Sequence, residues 1–214
     1  PLLHWHLRAV RECGIDDIVV VGGYCIANLR GLGVRLVENR NYETTNMVVS
    51  LFCAEECFDG GLVMGYGDIV YNPSVLKALL ECPGDVCVVV DRNWRPYWEQ
   101  RTDDVLGDAE SLRIDARGRI CSVGQKVTNI DEIQGQYIGL VAFSPNGIMR
   151  IRSLVERERL ANDRGQRLIC GQRPLSRLFM TDLLQGCIDI GTEVRPVWAD
   201  GGWLEIDTLK DIEL

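Results

Sequence analysis

The stretch M-G-Y-G-D-I-V-Y at residues 64–71 places an aspartate, Asp68, at the end of a short apolar run. Near the end of the chain, W-L-E-I-D-T at residues 203–208 does the same with Asp207. Apolar runs of this length are typical of buried strands. Ligands of open α/β sheets bind outside the carboxyl ends of the strands, so two aspartates brought there could share one Mg²⁺ ion. The alternative for each aspartate is a turn residue that closes a strand.

Helix-like and strand-like patterns alternate along most of the chain. We predict helices or turns at residues 1–13, 24–31, 47–57, 74–81, 93–101, 145–160, 174–187 and from 209 onward. We predict strands at residues 15–23, 34–37, 61–67, 85–90, 136–143 and, for the last one, up to Asp207, with a hairpin at 110–123. Nearly continuous apolar strands between helices predict a three-layer α/β/α fold, whose mixed sheet is mostly parallel and carries the inserted hairpin. One domain over residues 1–214 is the simplest division.

Composition narrows the classes of function. The 214 residues include 23 basic and 31 acidic side chains, and this net charge of −8 argues against nucleic acid or a membrane as the main partner. Neither a run of about 20 apolar residues nor a signal peptide is visible. Nine scattered cysteines without a C-x-x-C pair predict buried free thiols in a reducing cytoplasm. The only histidines, His4 and His6, are expected to be surface or packing residues.

Five segments, taken in order, carry a resemblance to a known family. They are G-I-D-D-I-V-V-V-G-G-Y (14–24), N-R-N-Y-E-T-T-N-M-V-V-S-L (39–51), G-D-I-V-Y (67–71), G-Q-Y-I-G-L (135–140) and G-G-W-L-E-I-D-T (201–208). With them the chain resembles the nucleotidyltransferases of the sugar-nucleotide-synthesising superfamily over essentially its whole length. Within that superfamily it is similar to cytidylyltransferases that act on phosphocholine or on phosphonates such as 2-aminoethylphosphonate and 2-hydroxyethylphosphonate. The resemblance implies their Rossmann-like, nucleotide-diphospho-sugar transferase fold.

The resemblance also implies a reaction. An oxygen of a phosphate or phosphonate acceptor attacks the α-phosphorus of CTP, and pyrophosphate leaves with the help of Mg²⁺. Such chemistry needs positioning and charge stabilisation more than a protein nucleophile. By position, Asp68 and Asp207 match the metal ligands, and Lys126 matches a lysine near the acceptor phosphate. The alternative for Lys126 is a solvated lysine after the hairpin.

The nucleotide and the acceptor have their own candidate residues. Residues that match the lining of the nucleotide pocket are Thr45, Asn46, Ser50 and Gly67. The alternative for Thr45 or Asn46 is a helix N-cap, and both roles could hold at once. An aromatic box that binds an ammonium group by cation–π attraction could be formed by Trp94, Trp98, Tyr137 and Trp203. A counter-charge could come from Asp91, Glu132 or Glu205. The alternative for Trp94 and Trp98 is packing over the sheet edge.

One part of the family pattern is not found in residues 1–214. It is a first strand with a Gly-rich loop that wraps the triphosphate, and we expect it upstream of Pro1. A clipped N-terminus, a domain cut from a longer polypeptide and a truncated, inactive protein are the open explanations. The first two are favoured because a central strand is hard to lose. Two further functions stay open, a sugar-1-phosphate nucleotidyltransferase and a non-catalytic nucleotide-binding module. The expected partners are CTP, the acceptor and a further biosynthetic enzyme, fused or separate.

Overall fold

The computed structural model describes residues 1–169 and 173–213. The chain divides into two compact units, and each is built from separate stretches of sequence. The first unit comprises Pro1–Ile15, Val63–Phe143 and Glu193–Leu214, and the second comprises Asp16–Leu62 and Ser144–Thr192. The prediction of one domain over residues 1–214 stays a prediction.

Helices and strands alternate over much of the described chain, as the sequence predicts, but strand Ile69–Tyr71 and helix Val105–Asp108 were not predicted. The last predicted strand is two strands, and the turn predicted at 24–31 is a short 3₁₀ turn, Ile26–Leu29. The strands of the described residues are β1 (Val19–Gly22), β2 (Arg35–Glu38), β3 (Leu62–Gly65), β4 (Ile69–Tyr71), β5 (Val86–Asp91), β6 (Leu112–Ile114), β7 (Ile120–Val123), β8 (Gln136–Phe143), β9 (Val194–Ala199) and β10 (Trp203–Glu205). The helices are α1 (Leu2–Glu12), α2 (Met47–Cys53), α3 (Pro73–Leu80), α4 (Trp94–Arg101), α5 (Val105–Asp108), α6 (Pro145–Asp163) and α7 (Met180–Asp189).

A six-stranded sheet in the order β3-β8-β5-β9-β7-β6 forms the centre of the first unit. Strand β5 pairs in parallel with β9, whereas the pairs β5–β8, β6–β7 and β7–β9 are antiparallel. The predicted mixed sheet is therefore confirmed, but the expected predominance of parallel pairs is wrong. All six residues of β5 and seven of the eight in β8 are buried, so these antiparallel neighbours have the apolar pattern typical of parallel strands. A strand that is buried on both faces has a continuous apolar sequence in either direction, so this sequence does not reveal the direction of the strand.

The predicted hairpin at residues 110–123 is present as β6 and β7. Its turn is held by Asp115, whose Oδ1 accepts the backbone N–H groups of Arg117 and Arg119 at 2.8 and 3.0 Å. Gly118 in this turn has a φ of +76°, a conformation that a side chain disfavours. Local turn chemistry therefore accounts for the turn of the hairpin, and β7 in addition pairs with β9.

The core of the first unit joins its helices to the sheet. Its buried side chains include Ile69, Leu76, Leu79, Trp94, Trp98, Leu140 and Trp203. Helix α1 packs against β4 and α3 at one side of this core. The segment that joins α3 to β5 brings the Cα atoms of Cys82 and Cys87 to 6.4 Å, and the two cysteines form a disulfide. The expectation of buried free thiols is therefore wrong for this pair. It is also wrong in burial for Cys25, Cys53 and Cys121, which are free but exposed, and Cys170 lies outside the described residues.

The second unit combines the parallel pair β1–β2 with α2, α6 and α7. Helix α6 begins as its sequence predicts, because Ser144 Oγ accepts the Gly147 N–H at 3.1 Å and Pro145 follows it. The predicted helix over 174–187 is wrong in its continuity. A short 3₁₀ turn spans Leu175–Arg177, and α7 starts afresh where Asp182 Oδ2 accepts the Phe179 N–H at 2.8 Å. Among the described residues no helix is long and apolar enough to cross a membrane.

Candidate active site

The two predicted metal aspartates lie side by side because two short strands pair. Strands β4 and β10 are antiparallel, with Ile69 opposite Glu205. Asp68 directly precedes β4, and Asp207 follows β10 by two residues, so both reach the same end of the pair. The backbone O of Asp68 accepts the Ile206 N–H at 2.8 Å and ties the two stretches together. The sequence placed Asp68 at the end of the preceding strand. The structure corrects this, because Asp68 lies at the start of β4.

The carboxylate of Asp68 is suited to a cation. Its Oδ1 is buried and has no hydrogen-bond partner within residues 1–169 and 173–213. Burial raises the pKa of Asp68, and the negative charge of Asp207 raises that pKa further. Around this pair no set of three or more His, Cys, Asp or Glu side chains in the described residues is arranged as a metal site. Two carboxylates are enough for Mg²⁺ when water and substrate phosphates complete the octahedron, so the residues present fit that ion.

Arg101, the last residue of α4, ties the neighbouring carboxylates together. Its side chain is only 6% exposed, and it contacts Glu205 through Nη1, Asp207 Oδ2 through Nη2 at 3.0 Å and Asp211 Oδ1 through Nε at 3.1 Å. The other oxygen of Asp211 accepts the N–H groups of Asp207 and Thr208 at 3.1 and 2.7 Å. Asp211 thus closes the turn that begins at Asp207 and Thr208. The helix predicted from residue 209 is a single 3₁₀ turn, Lys210–Ile212.

The pKa values of these acids differ with their surroundings. Burial raises the pKa of Glu205, although the guanidinium of Arg101 opposes that effect. Burial would also raise the pKa of Asp211, but hydrogen bonds from Thr208 and Arg101 outweigh it and lower that pKa. Hydrogen bonds to Glu205 and Asp211 more than offset the burial of Arg101 and raise its pKa above the ordinary value. Arg101 is therefore a permanent positive charge within an acidic cluster.

Sequence reasoning did not single out Arg101 as a site residue. The signal available was its spacing on α4, because Tyr97 and Trp98 lie four and three residues before it and share its helix face. Its three acidic partners are more than 100 residues away along the chain. Nothing in the local pattern could have identified them.

Three of the four aromatic residues predicted for the acceptor meet in the core of the first unit. Trp94 and Trp98 contact edge to face at 6.1 Å between ring centroids, and Trp98 lies 5.9 Å from Trp203. Tyr137 instead packs edge to face on Tyr66 at 5.8 Å. All four predicted side chains are at least nine-tenths buried. The packing alternative therefore describes their surroundings well, and their assignment to the acceptor stays a prediction.

Asp91 is committed to hydrogen bonds inside the protein. Its Oδ1 accepts the N–H groups of Asn93 at 2.8 Å and Gly201 at 3.3 Å, and its Oδ2 accepts the indole N–H of Trp203 at 2.8 Å. The side chain is 2% exposed. This arrangement favours a structural role for Asp91, which joins the end of β5 to the start of β10.

Three further predicted residues are exposed. Lys126 lies in the loop after β7, Glu132 ends the 3₁₀ turn Ile130–Glu132, and Gly67 lies in the bend before Asp68. A Cβ on Gly67 would meet no atom within 4 Å, so the backbone there is open to a ligand. The structure leaves the predicted roles of all three residues as predictions.

The residues predicted for the nucleotide form a local network in the second unit. Asn39, which sequence reasoning missed, is 3% exposed, and its Nδ2 donates to Thr45 Oγ1 at 2.9 Å and to Ser50 Oγ at 3.0 Å. Asn46 is the N-cap of α2, and its Oδ1 accepts the Met47 N–H at 2.9 Å. The capping alternative is therefore confirmed for Asn46. The hydroxyl groups of Thr45 and Ser50 are oriented by one buried amide.

The fold of the described residues is mixed α/β, and Asp68 and Asp207 lie at the same end of two paired strands. A family model described as "MobA-like NTP transferase domain" matches residues 1–177. The chain belongs to this family, and the resemblance noted in its sequence is confirmed.

Individual relatives agree with this assignment. The chain is 32% identical over 224 residues to a CTP:phosphoglutamine cytidylyltransferase of Campylobacter jejuni, a match that covers 100% of this chain and 86% of that protein. It is 29% identical over 104 residues to a CMP-5'-(3-aminopropyl)phosphonate synthase of Streptomyces rubellomurinus, covering 45% of this chain and 17% of the relative. The structure of the inositol-1-phosphate CTP transferase from T. maritima matches with a TM-score of 0.72 at 19% identity, covering 98% and 78% of the two chains. At that identity the match shows the shared fold.

Proposed function

We propose that this protein is a cytidylyltransferase that transfers CMP from CTP to a small acceptor bearing a phosphate or a phosphonate, with release of pyrophosphate. The similarity along the whole chain to a CTP:phosphoglutamine cytidylyltransferase carries the proposal. The second relative, a phosphonate synthase, supports a phosphonate as the other acceptor class. A phosphocholine-like acceptor is a third member of the same chemical group.

Asp68 and Asp207 would hold Mg²⁺, with the unpartnered Oδ1 of Asp68 directed to the ion and Asp207 presenting the oxygen that Arg101 leaves open. When bound, Mg²⁺ supplies positive charge that offsets the triphosphate and stabilises the departing pyrophosphate. Lys126 is the candidate that neutralises the attacking phosphoryl oxygen, for which an exposed point charge is suited. Ser50 would donate a hydroxyl hydrogen bond to the nucleotide, with Asn39 fixing its orientation. Thr45 already donates its hydroxyl hydrogen to the Asn41 carbonyl O at 2.8 Å, so its Oγ1 would face the nucleotide as an acceptor.

The test is pyrophosphate release by the full-length gene product with CTP, Mg²⁺ and a panel of acceptors. The panel contains phosphoglutamine, 2-aminoethylphosphonate, 3-aminopropylphosphonate, phosphocholine and, as the competing class, glucose 1-phosphate. A matrix of these acceptors with CTP, UTP, GTP and dTTP separates a cytidylyltransferase from a sugar-1-phosphate nucleotidyltransferase. Absence of turnover across the matrix would contradict the proposal and favour a non-catalytic nucleotide-binding module.

Asp68→Asn tests the metal assignment within this activity. We expect turnover to fall at least about 100-fold, as for loss of one preorganised electrostatic contact, with an unchanged unfolding midpoint. Asp103→Asn, an exposed position on the same unit, is the matched control and should keep full activity. An Asp68→Asn variant with wild-type turnover and wild-type Mg²⁺ dependence would remove Asp68 from the site.

A further inference from the structure

One of the four rings predicted to bind a substrate ammonium, that of Trp98, already contacts a cation from the chain itself, and so does the neighbouring ring of Tyr97. Cζ of Arg101 lies 5.1 Å from the ring centroid of Trp98 and 5.5 Å from that of Tyr97. Trp203 completes this aromatic cluster, at 5.6 Å from Tyr97 and 5.9 Å from Trp98. The distances of 5.1 and 5.5 Å between Arg101 Cζ and the two ring centroids are those of cation–π contacts. The aromatic cluster, defined as Tyr97, Trp98 and Trp203, therefore has its positive charge in place before any substrate binds.

The same guanidinium is held from its other sides by carboxylates. Glu205, Asp207 and Asp211 are its three ion-pair partners, and the Arg101 side chain is 6% exposed. Its charge also acts on Asp68, where it opposes the rise in pKa. A substrate ammonium would take the place of the guanidinium against these rings only if Arg101 left its partners, which would leave the buried carboxylate of Asp211 without its counter-charge.

Tyr97 links the aromatic cluster to the backbone of the candidate metal segment. Its hydroxyl accepts the Glu205 N–H at 3.0 Å and lies 3.2 Å from the Glu205 carbonyl O, to which it donates. Tyr97 thus bonds to the backbone of Glu205, and Arg101 bonds to the carboxylates of Glu205 and Asp207. The ion pair at 3.0 Å engages one oxygen of Asp207, Oδ2, and so restricts the orientation of that carboxylate.

We propose that Arg101 is a positioning residue for the transfer: the aromatic cluster binds its guanidinium, and its ion pair orients Asp207. The acceptor is consequently selected elsewhere, and the rings give no preference for a quaternary ammonium. This inference rests on the proposed function for its kinetic part, whereas the contact between Arg101 and the rings can be tested without any activity.

The activity-independent test is a double-mutant cycle on unfolding with Arg101→Met and Trp98→Leu. If the ring holds the guanidinium, the two changes are not additive, and the coupling alters the unfolding equilibrium constant at least about fivefold. The control cycle pairs Trp98→Leu with Arg95→Met, because Arg95 lies on the same helix but is half exposed and bonded to Glu99 and Asp131. Additivity in the Arg101 cycle, equal to that of the control cycle, would overturn the cation–π contact.

The kinetic test uses Arg101→Lys, which keeps the charge but cannot reach all three carboxylates with a planar fork. We expect kcat to fall at least tenfold while the KM values for CTP and the acceptor change less than threefold, and Arg95→Lys to behave as wild type. In a protein that already carries Asp207→Asn, the same Arg101→Lys change should lower kcat less than twofold. An equal cost in both backgrounds would contradict a role through Asp207.

The selectivity test compares phosphocholine with 3,3-dimethylbutyl phosphate, its neutral carbon isostere. We expect kcat/KM values within threefold of each other or, if neither reacts, inhibition constants within threefold. A preference above tenfold for phosphocholine would show that the rings bind substrate and would overturn the proposal. If wild-type protein releases no pyrophosphate with any acceptor, the proposed function and the role through Asp207 fail together, whereas the unfolding cycle still decides whether the rings hold Arg101.

Discussion

Replacement of Asp91 by asparagine should destabilise the first unit strongly, because no orientation of an amide can serve all three donors. With the amide oxygen directed at Asn93 and Gly201, the amide NH₂ faces the indole N–H of Trp203, and two donors meet at 2.8 Å. With the amide reversed, the conflict moves to the two backbone N–H groups. Either way at least one buried donor loses its acceptor, and the remaining hydrogen bonds lose their charge.

The expected magnitude follows from these contacts. One lost hydrogen bond to a charged group costs about 1.5–3 kcal/mol, and weaker bonds at the other oxygen add to this cost. We therefore expect the free energy of unfolding to fall by about 2–4 kcal/mol. With a urea slope of about 2 kcal/mol per M, the unfolding midpoint should fall by about 1–2 M.

The assay is equilibrium urea unfolding followed by tryptophan fluorescence, with acceptor KM measured on the same samples. Asp103→Asn is the control, since it changes the same charge at an exposed position and should move stability by no more than about 0.5 kcal/mol. The sequence predicted Asp91 as a counter-charge for the acceptor. An Asp91→Asn variant with wild-type stability and a raised acceptor KM would establish that role and refute the structural one.

Two further substitutions test the fold around the site. Gly139 has a φ of +82°, and a Cβ there would lie 2.5 Å from the ring of Tyr66, so Gly139→Ala should lower the free energy of unfolding by at least about 2 kcal/mol. Gly118 has a φ of +76° and no atom within 4 Å of an added Cβ, so Gly118→Ala should lower the free energy of unfolding only by the cost of the backbone strain. An equal fall for both variants in urea unfolding would exclude a clash between the Cβ at position 139 and the ring of Tyr66. Hydrogen bonds from Arg119 lower the pKa of Asp115 to about 2 from 3.8, so Asp115 stabilises the folded state above pH 3.8 and loses that effect as the pH falls to about 2. The midpoint difference between wild type and Asp115→Asn should accordingly shrink over that interval, and a constant difference would contradict the ion pair.

The parts of the fold that the sequence predicted well are those with a strong local pattern. Strand β8 has the predicted bounds, and β5 differs by a single residue at each end, because long apolar runs mark buried strands. The hairpin follows from its alternation and its turn residues. Strand β4 was missed because it is short and begins four residues after β3 ends, directly behind the stretch 61–67 that the sequence assigns to one strand. The direction of β8 was also missed, because burial on both faces is the same in either direction.

In the candidate site, too, residues marked by a local pattern could be predicted, whereas contacts between distant residues could not. Asp68 and Asp207 could be named from sequence because each follows an apolar run, and the pairing of β4 with β10 brings them together. The partners of Asp91 could not be named, because the indole N–H of Trp203 is 112 residues away in the chain. A local pattern specifies what a residue can bind but gives no information about which distant group arrives there.

Arg101 extends this argument from position to chemistry. Aromatic residues at 94–98 and acids at 205–211 have the composition of a cation receptor, and from the aromatic residues and Glu205 the sequence predicts a substrate ammonium there. Composition defines the charge that such a receptor binds, but it does not identify the molecule that carries the charge. Here a guanidinium from the same helix satisfies both the rings and the acids. An aromatic, acidic pocket in a related sequence should therefore be assigned to an ammonium substrate only after the arginines of the chain have been placed.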